Sequence, residues 1–554
     1  MAGSPISDDA DVWPLRLRQG LDIQPSGQDW TVSDPGGRIF RVSADIAALL
    51  HAIDGSRTPQ ELSGELTRQT GRRWTTEAVD RALASFAAKG FIDNGENHLT
   101  KPPRVRFVPP LTLQIGLFSP ASFLDRIRHP LQRLISTPMV LTYVLIITAG
   151  IIVLAVSSRD TWDALTTPLP LATYLAVIAA MMLSTMLHEM GHGATLAAFG
   201  GKPRQIGFML FYLTPAFFCD VSDGWRLDSK AKRVSIALAG IITQGTLAGT
   251  ASLLSMAVTN PELRAGLLVY AVLGYTSGIV NLVPFVKLDG YIALMSYLDI
   301  SHLRDKALRD SRRYLSRLFF GHATGYELPP LRGLKLYGLL CMIFPAFLIF
   351  TALSLWLDVI AKFGGWGALV ALVIVLLVMA RVLAGYLNIA KEGWQRQRSR
   401  IRILGVSSLA AALVAVSAAY IRIPTTIQAG FVNDAQGPGI VFDGPNSAPP
   451  LRAGQVVDVY ASGLIGIRHI GSTTVDSAER AKRPVRLDTL APVTWDGIQL
   501  NATVIPLSKK DADKFPASGT VHIHLDGKNA YEWFNEKYLQ PALASLLTSA
   551  GPGQ

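Results

Sequence analysis

His188, Glu189 and His192 fall together in MLHEMGHG, residues 186–193, as an H-E-x-x-H pattern. On a helix, histidines four residues apart share one face, so both imidazoles can reach a single Zn2+. Glu189 stands beside them, placed to take a proton from an activated water and hand it to a leaving amine. That is the chemistry of metal-assisted peptide hydrolysis. Catalytic zinc takes three protein ligands and keeps one position open, so another element must supply a ligand. Asp289, in NLVPFVKLDGY (281–291), is the one carboxylate at the end of a later apolar stretch and is the expected third ligand.

These residues need elements to hold them. The flanks of the first motif, MMLSTMLHEMGHGATLAAFG (181–200), are apolar like a membrane helix. A charged group at a bilayer centre costs ~2.5–3.5 kcal/mol on insertion scales, so ionisable residues there are kept with a partner or a function. A span needs ~20 residues. Seven stretches are long enough: 138–157, 169–199, 234–257, 265–287, 334–357, 366–389 and 403–421. Segments 202–233, 301–335 and 391–402 are rich in Lys and Arg, among them Arg233, Arg332, Arg396 and Arg398, whereas the intervening loops carry only Arg159, Arg264 and Lys362. The excess of positive charge on cytoplasmic loops then predicts a cytoplasmic N-terminus and an outer C-terminus. Both motifs lie late in spans that run outside to inside, so they should meet at one depth near the cytoplasmic face.

Composition agrees. With 49% hydrophobic and 17% charged residues and a mean hydropathy of +0.30, an ordinary soluble protein is excluded. The net charge of +11 is expected in cytoplasmic loops rather than on a nucleic-acid surface. Two cysteines, Cys219 and Cys341, exclude a disulfide framework and a cysteine-based zinc site. The first twenty residues lack a basic stretch followed by an apolar core, so no cleavable signal peptide is expected.

H-E-x-x-H in one span and N-x-x-P-x-x-x-L-D-G in a later one resemble the site-2-protease family of intramembrane zinc metalloproteases. Asn281, Pro284, Leu288, Asp289 and Gly290 fall on the second motif. The form N-x-x-P-F-x-x-L-D-G-Y and the stretch CDVSDGWRL (219–227) are closer to the peptide zinc metalloprotease branch; Lys287 departs from the proline of many members. The resemblance covers roughly residues 137–300. It implies His188, His192 and Asp289 as zinc ligands, Glu189 as catalytic base, and Asn281 as a group that orients substrate or the oxyanion. It also implies that RQIGFMLFYLTPAFFCDV (204–221), apolar but broken by Pro215, is a membrane-embedded β-element whose edge pairs with an extended substrate.

Residues 1–110 read as a cytoplasmic domain: a strand in GRIFRV (37–42), a helix through Ile46, Leu49, Leu50 and Ile53, a second opened by the TPQE capping box, and a third through Val79, Leu83 and Phe86. This winged-helix-like α+β pattern, over 34–93, resembles PqqD-like peptide-recognition domains, which bind leader peptides of ribosomally made, modified peptides. Residues 111–136 are expected as a linker, 137–421 as the membrane domain and 422–554 as an extracytoplasmic β-rich domain with one closing helix. His522 and His524 in HIHLDG share a strand face, but the letters LDG there match the second motif by coincidence.

The expected protein is an α-helical polytopic membrane protein of a bacterial cell membrane. Its expected function is leader removal from a modified peptide precursor, as in clusters for daptides, with one Zn2+. Its partners would be the precursor, the bilayer, and a peptide exporter or modifying enzymes, with no nucleic acid. Two alternatives differ from this: intramembrane cleavage of a membrane-anchored signalling protein such as an anti-sigma factor, and a non-catalytic export or immunity component.

Overall fold

The computed structural model describes residues 16–26, 29–34, 39–93, 105–108, 112–211, 214–320, 325–329, 333–361, 364–394, 400–442, 449–463, 465–477, 479–491, 493–494, 499–510 and 512–549. Gly37, Arg38, Arg332, Lys362, Arg396 and Arg398 of the patterns above lie outside the described residues. The chain folds as two compact units, taken in turn.

In the first unit, β1 (Arg16–Leu17) precedes a three-stranded antiparallel sheet of β2 (Asp22–Ser26), β3 (Asp29–Ser33) and β4 (Ile39–Val42), where the sequence suggested one strand. Helices α1 (Ala44–Ala52), α2 (Pro59–Thr70) and α3 (Thr76–Ala88) follow where the apolar spacing put them, and β5 (Ile92–Asp93) pairs with β1. The capping box of α2 is formed: Glu61 N–H donates to Thr58 Oγ1, and Thr58 N–H donates to the Glu61 carboxylate at 2.8 Å. Leu49, Leu50, Leu62, Leu66, Val79, Phe86 and Phe91 are buried and close the core of this region.

The stretch expected as a linker is ordered instead. β6 (Val105–Val108) and β7 (Thr112–Phe118) pair antiparallel, and the short helices α4 (Ala121–Arg126) and α5 (Arg128–Leu134) follow. The alternation of Leu113, Ile115 and Leu117 with Thr112, Gln114 and Gly116 is the period of a strand.

Among the described residues, seven helices are long and apolar enough to cross a membrane, one for each expected stretch. The first four are α6 (Thr137–Val156), α8 (Leu171–Ala198), α9 (Lys230–Ala257) and α10 (Pro261–Leu282); α7 (Ser158–Thr166) and β8 (Leu169–Pro170) lie between α6 and α8. α8 and α9 are joined by the hairpin β9 (Ile206–Phe211) and β10 (Thr214–Cys219). β7 pairs with β9, so the sheet runs β10-β9-β7-β6, with β10 at one edge.

The fourth span departs from expectation. It was expected to run to 287 with Asp289 at its end, yet α10 stops at Leu282, and Asp289 opens a separate helix, α11 (Asp289–Leu298). The cause is Pro284: it disfavours helical backbone at the residue before it and cannot donate to the helix ladder. The earlier start of α10 at Pro261 also brings Glu262 into that helix. Arg233, counted above among loop charges, is buried on α9 and pairs with buried Asp299 at the end of α11 at 2.8 Å. Its second guanidinium nitrogen donates to the Leu227 carbonyl at 2.7 Å, so the pair is hydrogen-bonded as a buried ion pair must be. It fixes α11 against the start of α9.

The second unit, residues 152–178, 252–270 and 302–554, holds α7, β8, α12 (Leu303–Phe320) and the remaining spans α13 (Leu334–Ala361), α14 (Gly364–Trp394) and α15 (Arg400–Tyr420). It ends in a β domain of β11 (Arg422–Asp434), β12 (Gly437–Phe442), β13 (Val456–Ser462), β14 (Ile467–Thr474), β15 (Ala481–Arg486), β16 (Val493–Thr494), β17 (Gln499–Pro506) and β18 (Ser518–Asn529). Seven of these form one antiparallel sheet, β14-β13-β18-β11-β12-β17-β15, and β16 instead pairs in parallel with β8. One face is the core, through Phe431, Ile440, Val457, Val459, Val521 and Ile523. His522 and His524 point to the other face, as the alternation predicts. There Ser472 Oγ donates to Asp458 at 2.5 Å and His524 Nε2 lies 2.9 Å from the same carboxylate. The Ser472 hydroxyl, then His524, holds the Asp458 carboxyl below its ordinary range. His522 instead stacks on Tyr460 with centroids 4.2 Å apart. The closing helix runs from α16 (Ala530–Phe534) through a π turn at Asn535–Leu539 into α17 (Gln540–Ser549). Pro541 has no N–H for the Lys537 carbonyl, which favours the wider turn there.

Candidate metal centre and active site

His188 and His192 lie one turn apart on α8 and are both buried, each 5% exposed. The two glycines of the GHG run explain how other elements approach that turn. A side chain on Gly191 would meet Thr243 Oγ1 of α9 at 2.6 Å, and one on Gly193 would meet Cys219 Sγ of β10 at 3.0 Å. α9 therefore packs on one side of His192 and β10 on the other.

Asp289 reaches the pair because the chain folds back on itself. Residues 283–288 loop out from the end of α10, and Gly290 returns onto its last turn, where a Cβ would overlap the Leu282 carbonyl. Gly290 is thus the residue that lets α11 start against α10. The Asp289 Oδ2 atom lies 2.8 Å from His188 Nε2 and 3.3 Å from His192 Nε2. The two Nε2 atoms are 3.2 Å apart.

Which nitrogen of His192 carries the proton follows from its partner. The Ile236 carbonyl of α9 can only accept, so Nδ1–H donates to it, at 2.7 Å. In a neutral ring with Nδ1 protonated, Nε2 carries the lone pair on the side of Asp289. Three atoms able to ligate a metal thus converge with spacings of 2.8–3.3 Å. Ligands of a tetrahedral Zn2+ at the usual bond lengths lie about 3.3 Å apart. The donor set therefore fits zinc. The His188 Nδ1 atom is buried and has no hydrogen-bond partner among the described residues.

Glu189 lies alongside. Its nearest donor atom and those of His188 and His192 fall within 4.8 Å of one another. The Cys219 backbone N–H, at the end of edge strand β10, donates to Glu189 Oε2 at 2.9 Å. This bond ties the carboxylate to the sheet edge. The hairpin is extended past Cys219 by Asp220 N–H donating to the Gln205 carbonyl at 2.8 Å and Arg204 N–H donating to the Asp220 carbonyl at 3.0 Å.

The structure thus brings His188, Glu189, His192 and Asp289 into one cluster. Asn281 lies in the last turn of α10, half-buried, and makes no hydrogen bond to that cluster among the described residues. The sequence did not reveal Ile236, Gly240 or β7, whose relevance depends on contacts across the fold. The Asp289 position carries a prediction. Gly290→Ala should push α11 off the end of α10, move the carboxylate, and weaken zinc retention by about 10- to 100-fold, the range for groups that orient ligands; zinc content after dialysis checks it.

Over 129 residues the chain is 27% identical to the "Putative peptide zinc metalloprotease protein YydH" of Bacillus subtilis (strain 168), covering 23% of this chain and 49% of that protein. The chain therefore spans about half the length of this curated relative. No family model matches the chain, and no solved structure does.

Proposed function

We propose that the protein is an intramembrane zinc metalloendopeptidase that removes the leader from a ribosomally made, modified peptide precursor. The observation that carries this is the convergence of His188, His192 and Asp289, with Glu189 bonded to the end of an edge strand. Zn2+, when bound, supplies Lewis-acid polarisation of the scissile carbonyl and acidifies water. The protein's own groups do the rest. The edge of β10 offers main-chain donors and acceptors to an extended substrate, which exposes the peptide bond that a helix would hide. Glu189 takes the proton of the attacking water and returns it to the amine that leaves. Asn281 would steady the substrate carbonyl from the last turn of α10. His188, His192 and Asp289 would hold the ion.

The N-terminal region supports leader recognition. Its three-stranded sheet has β2 and β4 at the edges, where a peptide can add as a strand. Asp22 of β2 pairs with Arg226 at 3.0 Å, in the segment that follows β10. A bound leader would be held beside the catalytic hairpin.

The test uses the purified protein in detergent, candidate precursor peptides and a zinc chelator. Cleavage that stops with the chelator and returns with Zn2+ is expected; cleavage indifferent to both overturns the proposal. Removing residues 1–93, and not further, spares β6 and β7. That deletion should lower kcat/KM for the leader-bearing precursor by at least about tenfold while a short leaderless peptide is cut as before, because only the first loses its tether. Equal loss for both substrates would rule out a recognition role.

A further inference from the structure

One turn of α9 faces the two histidines, and its residue types are unusual in what they leave out. Gly240 has no side chain, and a Cβ there would stand 2.5 Å from His188 Nε2, 2.5 Å from His192 Nε2 and 2.6 Å from His188 Cδ2. Real Cβ atoms do not come that close, and neither ring is a flexible chain end. His192 is fixed by its bond to Ile236, and His188 by Asp289. Four residues before Gly240 on the same helix, Ile236 presents the carbonyl that takes the Nδ1 proton of His192.

We infer that the Ile236–Gly240 turn of α9 is a positioning element for the metal centre: Ile236 selects the nitrogen that faces Asp289, and the bare Cα of Gly240 leaves the room in which both Nε2 atoms reach it. The inference rests on the zinc reading of the site. It assigns a role to two residues of a helix that supplies no ligand. A glycine in the interior of a helix is less favourable than an alanine, and here an alanine would fill the volume the imidazoles need. Second-sphere groups that orient histidine ligands are worth about 10- to 100-fold in metal affinity.

The experiment compares the full-length protein with Gly240→Ala and Gly278→Ala, stripped of metal and titrated with Zn2+ and, separately, with Co2+. Gly278 is the control: it lies in α10, and a Cβ there meets Ile241 at an ordinary 3.8 Å. Gly240→Ala is expected to bind Zn2+ 10- to 100-fold more weakly and to shift or lose the visible absorption of bound Co2+, with helical content and unfolding temperature close to wild type. Gly278→Ala should keep wild-type affinity and spectrum. Equal affinity and spectrum in Gly240→Ala and wild type overturn the inference. If Gly240→Ala does not fold, nitrogen-15 histidine spectra of the wild type decide: a His192 ring protonated at Nδ1 supports the inference, and one protonated at Nε2 overturns it. A wild type that binds neither metal defeats the metalloprotease proposal itself, and the inference with it.

Discussion

Glu189→Gln is expected to lower peptide cleavage by about 10²- to 10⁴-fold, the contribution of a positioned general base, while bound zinc stays at the wild-type level. The side chain keeps its size and still offers an oxygen to Cys219 N–H, whose bond to Oε2 is 2.9 Å. What it loses is the ability to take a proton. The three atoms that converge at 2.8–3.3 Å come from His188, His192 and Asp289, so Glu189 is not needed to hold the ion. Single-turnover cleavage beside elemental zinc analysis separates the two effects. A variant that loses zinc together with activity would make Glu189 a ligand; one that cleaves normally would remove it from the mechanism.

Asp289→Ala should act in the opposite order, with metal lost first and activity as a consequence. Without the carboxylate, two imidazoles whose Nε2 atoms are 3.2 Å apart remain in a site where they are both buried. Catalytic zinc sites use three protein ligands, and removing one should weaken binding by at least the ~10²-fold seen at the upper end for outer-sphere groups. Excess Zn2+ should restore part of the activity, whereas no concentration should rescue Glu189→Gln. Zinc titration followed by activity at saturating metal reads both. Full zinc occupancy in Asp289→Ala at nanomolar free metal would remove it from the ligand set.

The readable parts of this molecule are those fixed by near neighbours in sequence. H-E-x-x-H needs only one helical turn, the Thr58–Glu61 capping box needs four residues, and a bilayer span needs one long apolar run. Each is present at the expected place. Pro284 was legible too, and taking it as a helix stop would have ended α10 at Leu282 and separated Asp289 from the span. The strands at 105–118 were legible only as an alternation, because what joins their hairpin to the catalytic-site sheet is a partner about a hundred residues away. Arg233 looked like one more cytoplasmic loop charge; only the fold shows Asp299 beside it. Gly240 is the extreme case. Its meaning is the absence of an atom, which becomes visible only once two imidazoles stand where that atom would be.

The pairing of β7 with β9 bears on the order in which the protein matures as it is made. β7 leaves the ribosome long before the strand it needs, and contacts of such separation form late and slowly. Asp289 follows His188 by 101 residues, so the ligand set cannot close until the fourth span has been synthesised and α11 has turned back onto it. The nascent chain is thus without a complete ligand set while its first four spans are inserted. On the proposed function, the hydrolase is silent while its first four spans are made and gains its ligand set only once α11 has folded back.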